Sequence, residues 1–185
     1  MIEYTTSKST KELKGILELQ KKNLRAQLSK EEAASQGFVF VKHNLKTLEK
    51  FNNIEEHLIA KENDKIIGYV LTMTKESRYD LAEIFPLFEL FDKLKYKGKI
   101  ISDCNYMLVG QVCVGKAYRG KGVFVKCYQA YQEYYSSKYD FTITEISKSN
   151  LRSRKAHKKI GFDEIYKYSD TEGGEWVVVL CDWKY

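Results

Sequence analysis

The chain has 185 residues, 43% hydrophobic and 30% charged, which suits a soluble globular protein with one sizeable core and excludes two independent catalytic domains. A single proline, Pro86, excludes a proline-rich linker, and the composition excludes disordered and collagen-like chains. The 31 Lys and Arg exceed the 25 Asp and Glu, and the resulting +6 favours an anionic ligand or surface.

Taken in chain order, residues 2–5 suit a short strand. From 10 to 28, Leu13, Ile16, Leu17, Leu24 and Leu28 recur at helical spacing behind an N-cap at Ser9 or Thr10. Ser29 with Glu32 three residues on predicts a second helix over 29–36, ended by Gly37, with an extended piece over 38–41. Segments 56–61 and 65–74 predict a β-hairpin about Glu62-Asn63-Asp64, with Ile67, Tyr69 and Leu71 alternating. Residues from about 75 to 105 read as a helical insertion capping the fold. Its apolar cluster of Leu81, Ile84, Phe85, Leu87, Phe88, Leu90, Phe91 and Leu94 is interrupted by Pro86.

Tyr106–Val114 is an apolar strand, after which the period turns helical over 122–136, with Phe124, Cys127, Tyr128, Tyr131 and Tyr135 on one stripe. A second strand over 141–146 and a second helix over 150–160, ended by Gly161, follow. Strands over 164–168 and 175–181 close the chain around Gly173-Gly174.

Residues 110–160 hold eleven cations and three anions, a local +8 that leaves the remainder at −2. This localises the anion preference. Cys104, Cys113, Cys127 and Cys181 form no C-x-x-C pair, and His43, His57 and His157 are scattered, so free thiols and no metal site are expected. No apolar run approaches the ~18 residues of a membrane span, and the N-terminus lacks a secretory signal, so the expected location is the cytoplasm, away from membranes.

The chemistry concentrates in VCVGKAYRGKGVF, residues 112–124. A strand runs into Arg119-Gly120-Lys121-Gly122 at the mouth of a helix, where unpaired amides and the positive end of the helix dipole suit a phosphate. The glycines allow close backbone approach, while Arg119 and Lys121 add full charges. With the second unit, ITEISKSNLRSRKAHKKIGF over 143–162, the segment resembles the GNAT superfamily of acyl-CoA-dependent N-acetyltransferases. That family's Arg/Gln-x-x-Gly-x-Gly/Ala loop falls on Arg119, Gly120, Lys121, Gly122, Val123 and Phe124. Its Asn near the next helix start and its Gly-Phe at the helix end fall on Asn150 and on Gly161-Phe162.

The resemblance is sharpest over 110–162 and implies a single N-acetyltransferase domain over 1–185. The implied fold is α/β (α+β): a mixed, largely antiparallel twisted sheet with flanking helices and a splayed parallel strand pair in its centre. The splay would admit the pantetheine arm of acetyl-CoA, with backbone groups at Cys113 and Val114 pairing with it. Residues 119–124, Asn150 and Ser153 would bind the rest of the cofactor. A primary amine, on a small molecule or a peptide, would attack the thioester directly, and a homodimer is compatible with such a domain.

This chain departs from the pattern at two positions. Phe124 stands where the loop usually has Gly or Ala, so its ring is expected in the core beside Cys127 and Tyr128. His157 occupies the place of a frequent general-acid Tyr, and its imidazole either protonates the departing thiolate or bonds structurally. Glu145 is the candidate base, because it shares a strand face with Phe141 and Ile143 and a carboxylate there invites a raised pKa; the alternative is a solvated or paired glutamate. Two other classes of function stay open: a non-catalytic acyl-CoA-binding protein, and a nucleic-acid-binding module using Lys148, Arg152, Arg154, Lys155, Lys158 and Lys159. A solvated helix face is the commoner source of such a run, and no nucleic-acid motif accompanies it.

Overall fold

The computed structural model describes residues 1–27, 29, 38–80 and 82–184. Apart from Ser29, the helix expected over 29–36 lies outside these residues, as do Leu28 and Leu81. Strand β1 (Ile2–Thr6) leads to helix α1 (Thr10–Lys21), which opens in a capping box: the Ser9 hydroxyl accepts from the Glu12 amide while the Glu12 carboxylate accepts from the Ser9 amide. α1 buries Leu13, Ile16 and Leu19. It stops at Lys21 rather than continuing to Leu28, because Leu24 leaves the helical path to form a parallel bridge with Val39.

Helix α2 (Leu45–Ile54) has no counterpart among the sequence expectations; Asn44 caps it by accepting from the Thr47 amide at 2.9 Å, and Leu48 and Phe51 are buried. β2 (Leu58–Glu62) and β3 (Lys65–Met73) form the expected hairpin, with Asn63 at φ 53°, a left-handed conformation that asparagine tolerates. The insertion is a series of short pieces rather than one interrupted helix. Two 3-10 turns (Lys75–Tyr79 and Ala82–Ile84) precede α3 (Phe85–Phe91), the small hairpin β4 (Lys95–Tyr96) and β5 (Lys99–Ile100) follows, and a third 3-10 turn (Ile101–Asp103) ends it. Pro86 starts α3 instead of breaking a helix, since its missing N–H falls in the first turn.

β6 (Tyr106–Val114), α4 (Val123–Tyr135), β7 (Phe141–Ser147), α5 (Leu151–Lys159), β8 (Asp163–Ser169) and β9 (Glu175–Asp182) complete the order. Seven strands form one sheet, β1-β2-β3-β6-β7-β9-β8, antiparallel except for β6 and β7. This is the expected mixed, largely antiparallel architecture. Cys127, Tyr128, Tyr131 and Tyr135 of α4 pack on one face of the sheet with Met107, Val109 and Val177. α1 and α2 cover the other face over Ile59, Tyr69 and Leu71, and α3 continues that layer over Leu108, Phe141 and Ile143.

Two features of the central strands create the site. β6 and β7 pair only where Tyr106, Met107 and Leu108 meet Phe141, Thr142 and Ile143, and Thr144 Oγ1 donates to Val109 O at 2.7 Å just beyond. Past that point the strands part. There β6 is also bulged: Leu71 pairs with Gln111 and Thr72 with Val109, leaving Gly110 as the extra residue, where a Cβ would overlap Met73.

Candidate active site

The mouth of α4 lies at the open end of β6. Gly120 (φ 74°) and Gly122 (φ 79°) are both left-handed, and Gly122 is the N-cap. A Cβ at either would meet only open space, so the need for glycine is conformational rather than steric. Among the described residues, the amides of 120–125 have no acceptor; the first amide of the helix to find one is Lys126, donating to Gly122 O at 3.0 Å. An array of N–H groups at the positive end of a 13-residue helix fits a phosphate group.

Of the two loop cations, Arg119 turns back on the fold, its Nε donating to Val114 O at 3.0 Å and its Nη2 to Asn23 Oδ1. It therefore staples the loop to the end of β6 and to the residues after α1. Lys121 is exposed, with its Nζ 5.9 Å from the centroid of the Tyr118 ring. A cavity of about 320 Å³ occupies the splay, lined by Val112, Cys113, Val114, Gly120, Gly122, Phe124, Asn150 and Ser153, with Arg119, Arg152 and Lys159 as its charges. A larger cleft of about 720 Å³ lies between α1 and loop 115–119 and shares Arg119, but it contains no free strand edge.

These surroundings place most of the residues expected at the cofactor together. Two do not line the cavity: the Val123 side chain is buried in the core, so only its amide is presented, and Lys121 is exposed outside it. Cys113 lies with the α1 core, and burial pushes its thiol up to about 12, which leaves little thiolate to act as a nucleophile. Asn150 caps α5 through the Ser153 amide at 3.1 Å. Phe124 sits half-buried, edge-on to Tyr128 at 5.0 Å and to His157 at 5.1 Å, and its ring lines the cavity as well as packing against the core.

His157 is packed rather than exposed, and it also lines the third cavity beside the splay. It is 1% exposed, its Nδ1 donates to Ser153 O at 2.8 Å, and its Nε2 accepts from the Tyr128 hydroxyl at 2.9 Å. Burial drives its pKa down to about 4, so the ring is neutral at pH 7 and both nitrogens are engaged. It bonds Tyr128 and packs edge-on with Phe124 and Phe162 beneath the splay.

Glu145 stands on the opposite face, toward α3. It lines a third cavity of about 160 Å³ that adjoins the splay and shares Val112, Asn150 and Ser153 with the larger one. Tyr168 donates a hydrogen bond to its carboxylate, and burial raises its pKa. Neither Tyr168 nor the Phe40–Trp176 ring pair beside this cavity was legible in sequence, because the loop at 38–41 and the β8–β9 hairpin are remote in the chain.

Among the described residues, no helix is long and apolar enough to cross a membrane. Among curated protein sequences, none matches this chain. Solved structures share the fold: the ribosomal-protein-S18-alanine N-acetyltransferase from Escherichia coli (TM-score 0.65, 11% identity, 100% of this chain and 96% of that one) and a GNAT-family acetyltransferase from Streptococcus agalactiae (0.67, 13%, 98% and 95%). The NatC complex bound to Gag peptide and CoA is similar as well (0.64, 15%, 98% and 98%). The sequence model of the acetyltransferase (GNAT) family matches residues 25–162, so the chain belongs to that family.

Proposed function

We propose that this protein is an N-acetyltransferase that moves an acetyl group from acetyl-CoA to a primary amine by direct attack, and that residues 1–185 act as one domain. The observation that carries the reading is the parting of β6 and β7 beyond Leu108 and Ile143, directly above the glycine mouth of α4. Acetyl-CoA supplies an activated acetyl thioester. The chain's own groups are arranged for its parts: the amides of 120–125 with Arg152 and Lys159 for phosphates, the exposed Lys121 adding charge at the rim, and the free edge of β6 near Cys113 and Val114 for an amide-bearing arm.

Glu145 takes the proton from the incoming ammonium, since its raised pKa brings it nearer to neutrality and its cavity opens on the splay. His157 acts through Tyr128 as a positioning residue. The test is release of free thiol from acetyl-CoA against a panel of primary amines, with coenzyme A binding measured in parallel. Thiol release that depends on the amine supports transfer. Tight coenzyme A binding without release from any amine supports the alternative of a non-catalytic acyl-CoA-binding protein, and absence of binding removes both.

A further inference from the structure

The 160 Å³ cavity on the α3 side of the splay has a chemistry opposite to that of its neighbour. Among the described residues that line it, Glu145 is the one charged side chain, whereas the adjoining cavity is lined by Arg119, Arg152 and Lys159. The polar group closest to Glu145 in kind, Gln111, is largely spent within the protein: its Oε1 accepts from Tyr69 at 2.6 Å and from Gln20 at 2.9 Å, and its Nε2 donates to Val41 O at 2.9 Å. A carboxylate entering here would meet Glu145 with no cation among the described lining residues to offset it.

Aromatic rings line the mouth. Phe38 and Phe40 meet at 4.8 Å, and Phe40 and Trp176 at 5.2 Å. The indole is held in place by Asp170, which accepts from Trp176 Nε1 at 2.7 Å and is itself held by the Gly174 amide at 2.7 Å. The anchored indole and the exposed Phe40 ring against it offer apolar contact to an organic body and cation–π attraction to a passing ammonium. A volume of 160 Å³ equals that of roughly five waters at ~30 Å³ each, enough for a short carbon chain leading to one nitrogen.

Resting on the acetyl-transfer reading, we propose that the acceptor is a small primary ammonium with an aromatic or branched aliphatic body and no carboxylate, its nitrogen at Glu145 and its body on Phe40 and Trp176. Free amino acids are then poor acceptors. The burial that raises the Glu145 pKa also strengthens its pairing with a cation, because little water screens the site.

The test is calorimetric binding to the full chain saturated with coenzyme A, comparing phenethylamine with phenylalanine and isopentylamine with leucine. Each amine is expected to bind at least about tenfold more tightly than its carboxylated partner. Glu145→Gln should weaken the amines by about tenfold and shrink the gap, with coenzyme A affinity held within about twofold. Trp176→Ala should weaken phenethylamine, and Trp176→Phe should restore it. Amino acids binding as tightly as the amines, or neither class binding, overturns the proposal. Amines that bind with this preference but release no thiol from acetyl-CoA leave the amine site at Glu145 standing and remove the transfer reading, and with it the acceptor role.

Discussion

Acidification should destabilise the protein through His157, by an amount that follows from its surroundings. The folded pKa of about 4 lies below the 6.5 of an exposed imidazole, so the folded state binds fewer protons than the unfolded chain. The contribution is therefore complete above pH 6.5 and is lost as the pH falls from there toward about 4. Between pH 7 and pH 5 the loss comes to about 2 kcal/mol, or a fall in Tm of roughly 4–8 °C for a chain of this size. His57, buried and lowered to about 3, adds a loss of the same sign. The measurement is urea or thermal unfolding of the wild type and of His157→Gln across this pH range. Gln does not titrate and can still accept from Tyr128, so the variant should lose about 2 kcal/mol less over the same interval. An equal loss in both proteins would mean that His157 titrates normally in the fold, and the buried-acceptor role would fall with it.

Gly122→Ala should lower stability or coenzyme A affinity by the equivalent of about 1–2 kcal/mol, since the left-handed φ of 79° must be kept with no clash to blame. Gly122→Asn should cost less, and thermal melts with and without coenzyme A separate the two routes. Arg119→Ala should raise the coenzyme A Kd by about tenfold, because it removes both a charge and the bonds to Val114 and Asn23. Lys155→Ala with Lys158→Ala, which line neither cavity, should change it less than about twofold. Equal losses would point to diffuse attraction rather than the loop.

Periodicity and local turn chemistry determined much of this protein in one dimension. Tyr106–Val114, the helix from Gly122, the strand from Phe141 and the α5 segment between Asn150 and Gly161 were legible because each depends on neighbours a few residues away. The same holds for the glycine mouth, whose spacing Arg119-Gly120-Lys121-Gly122 is contiguous. α2 escaped although Asn44 with Leu45, Leu48 and Phe51 carried a cap and a helical period. The end of α1 escaped because a bridge to Val39 decides it.

At the site, the sequence alone determined which residue types gather around the glycine mouth of α4, and the tertiary structure decided what each touches. Whether His157 donates a proton depends on Tyr128 and Ser153 filling its two nitrogens under an aromatic cover. Arg119 staples the loop only because β6 and the residues after α1 bring Val114 and Asn23 to it. Glu145 acquires its environment from Tyr168 and from the rings of Phe40 and Trp176. Those contacts join residues far apart in the chain, and burial, which sets both pKa shifts, is a property of the packed sheet and its covering helices rather than of local spacing.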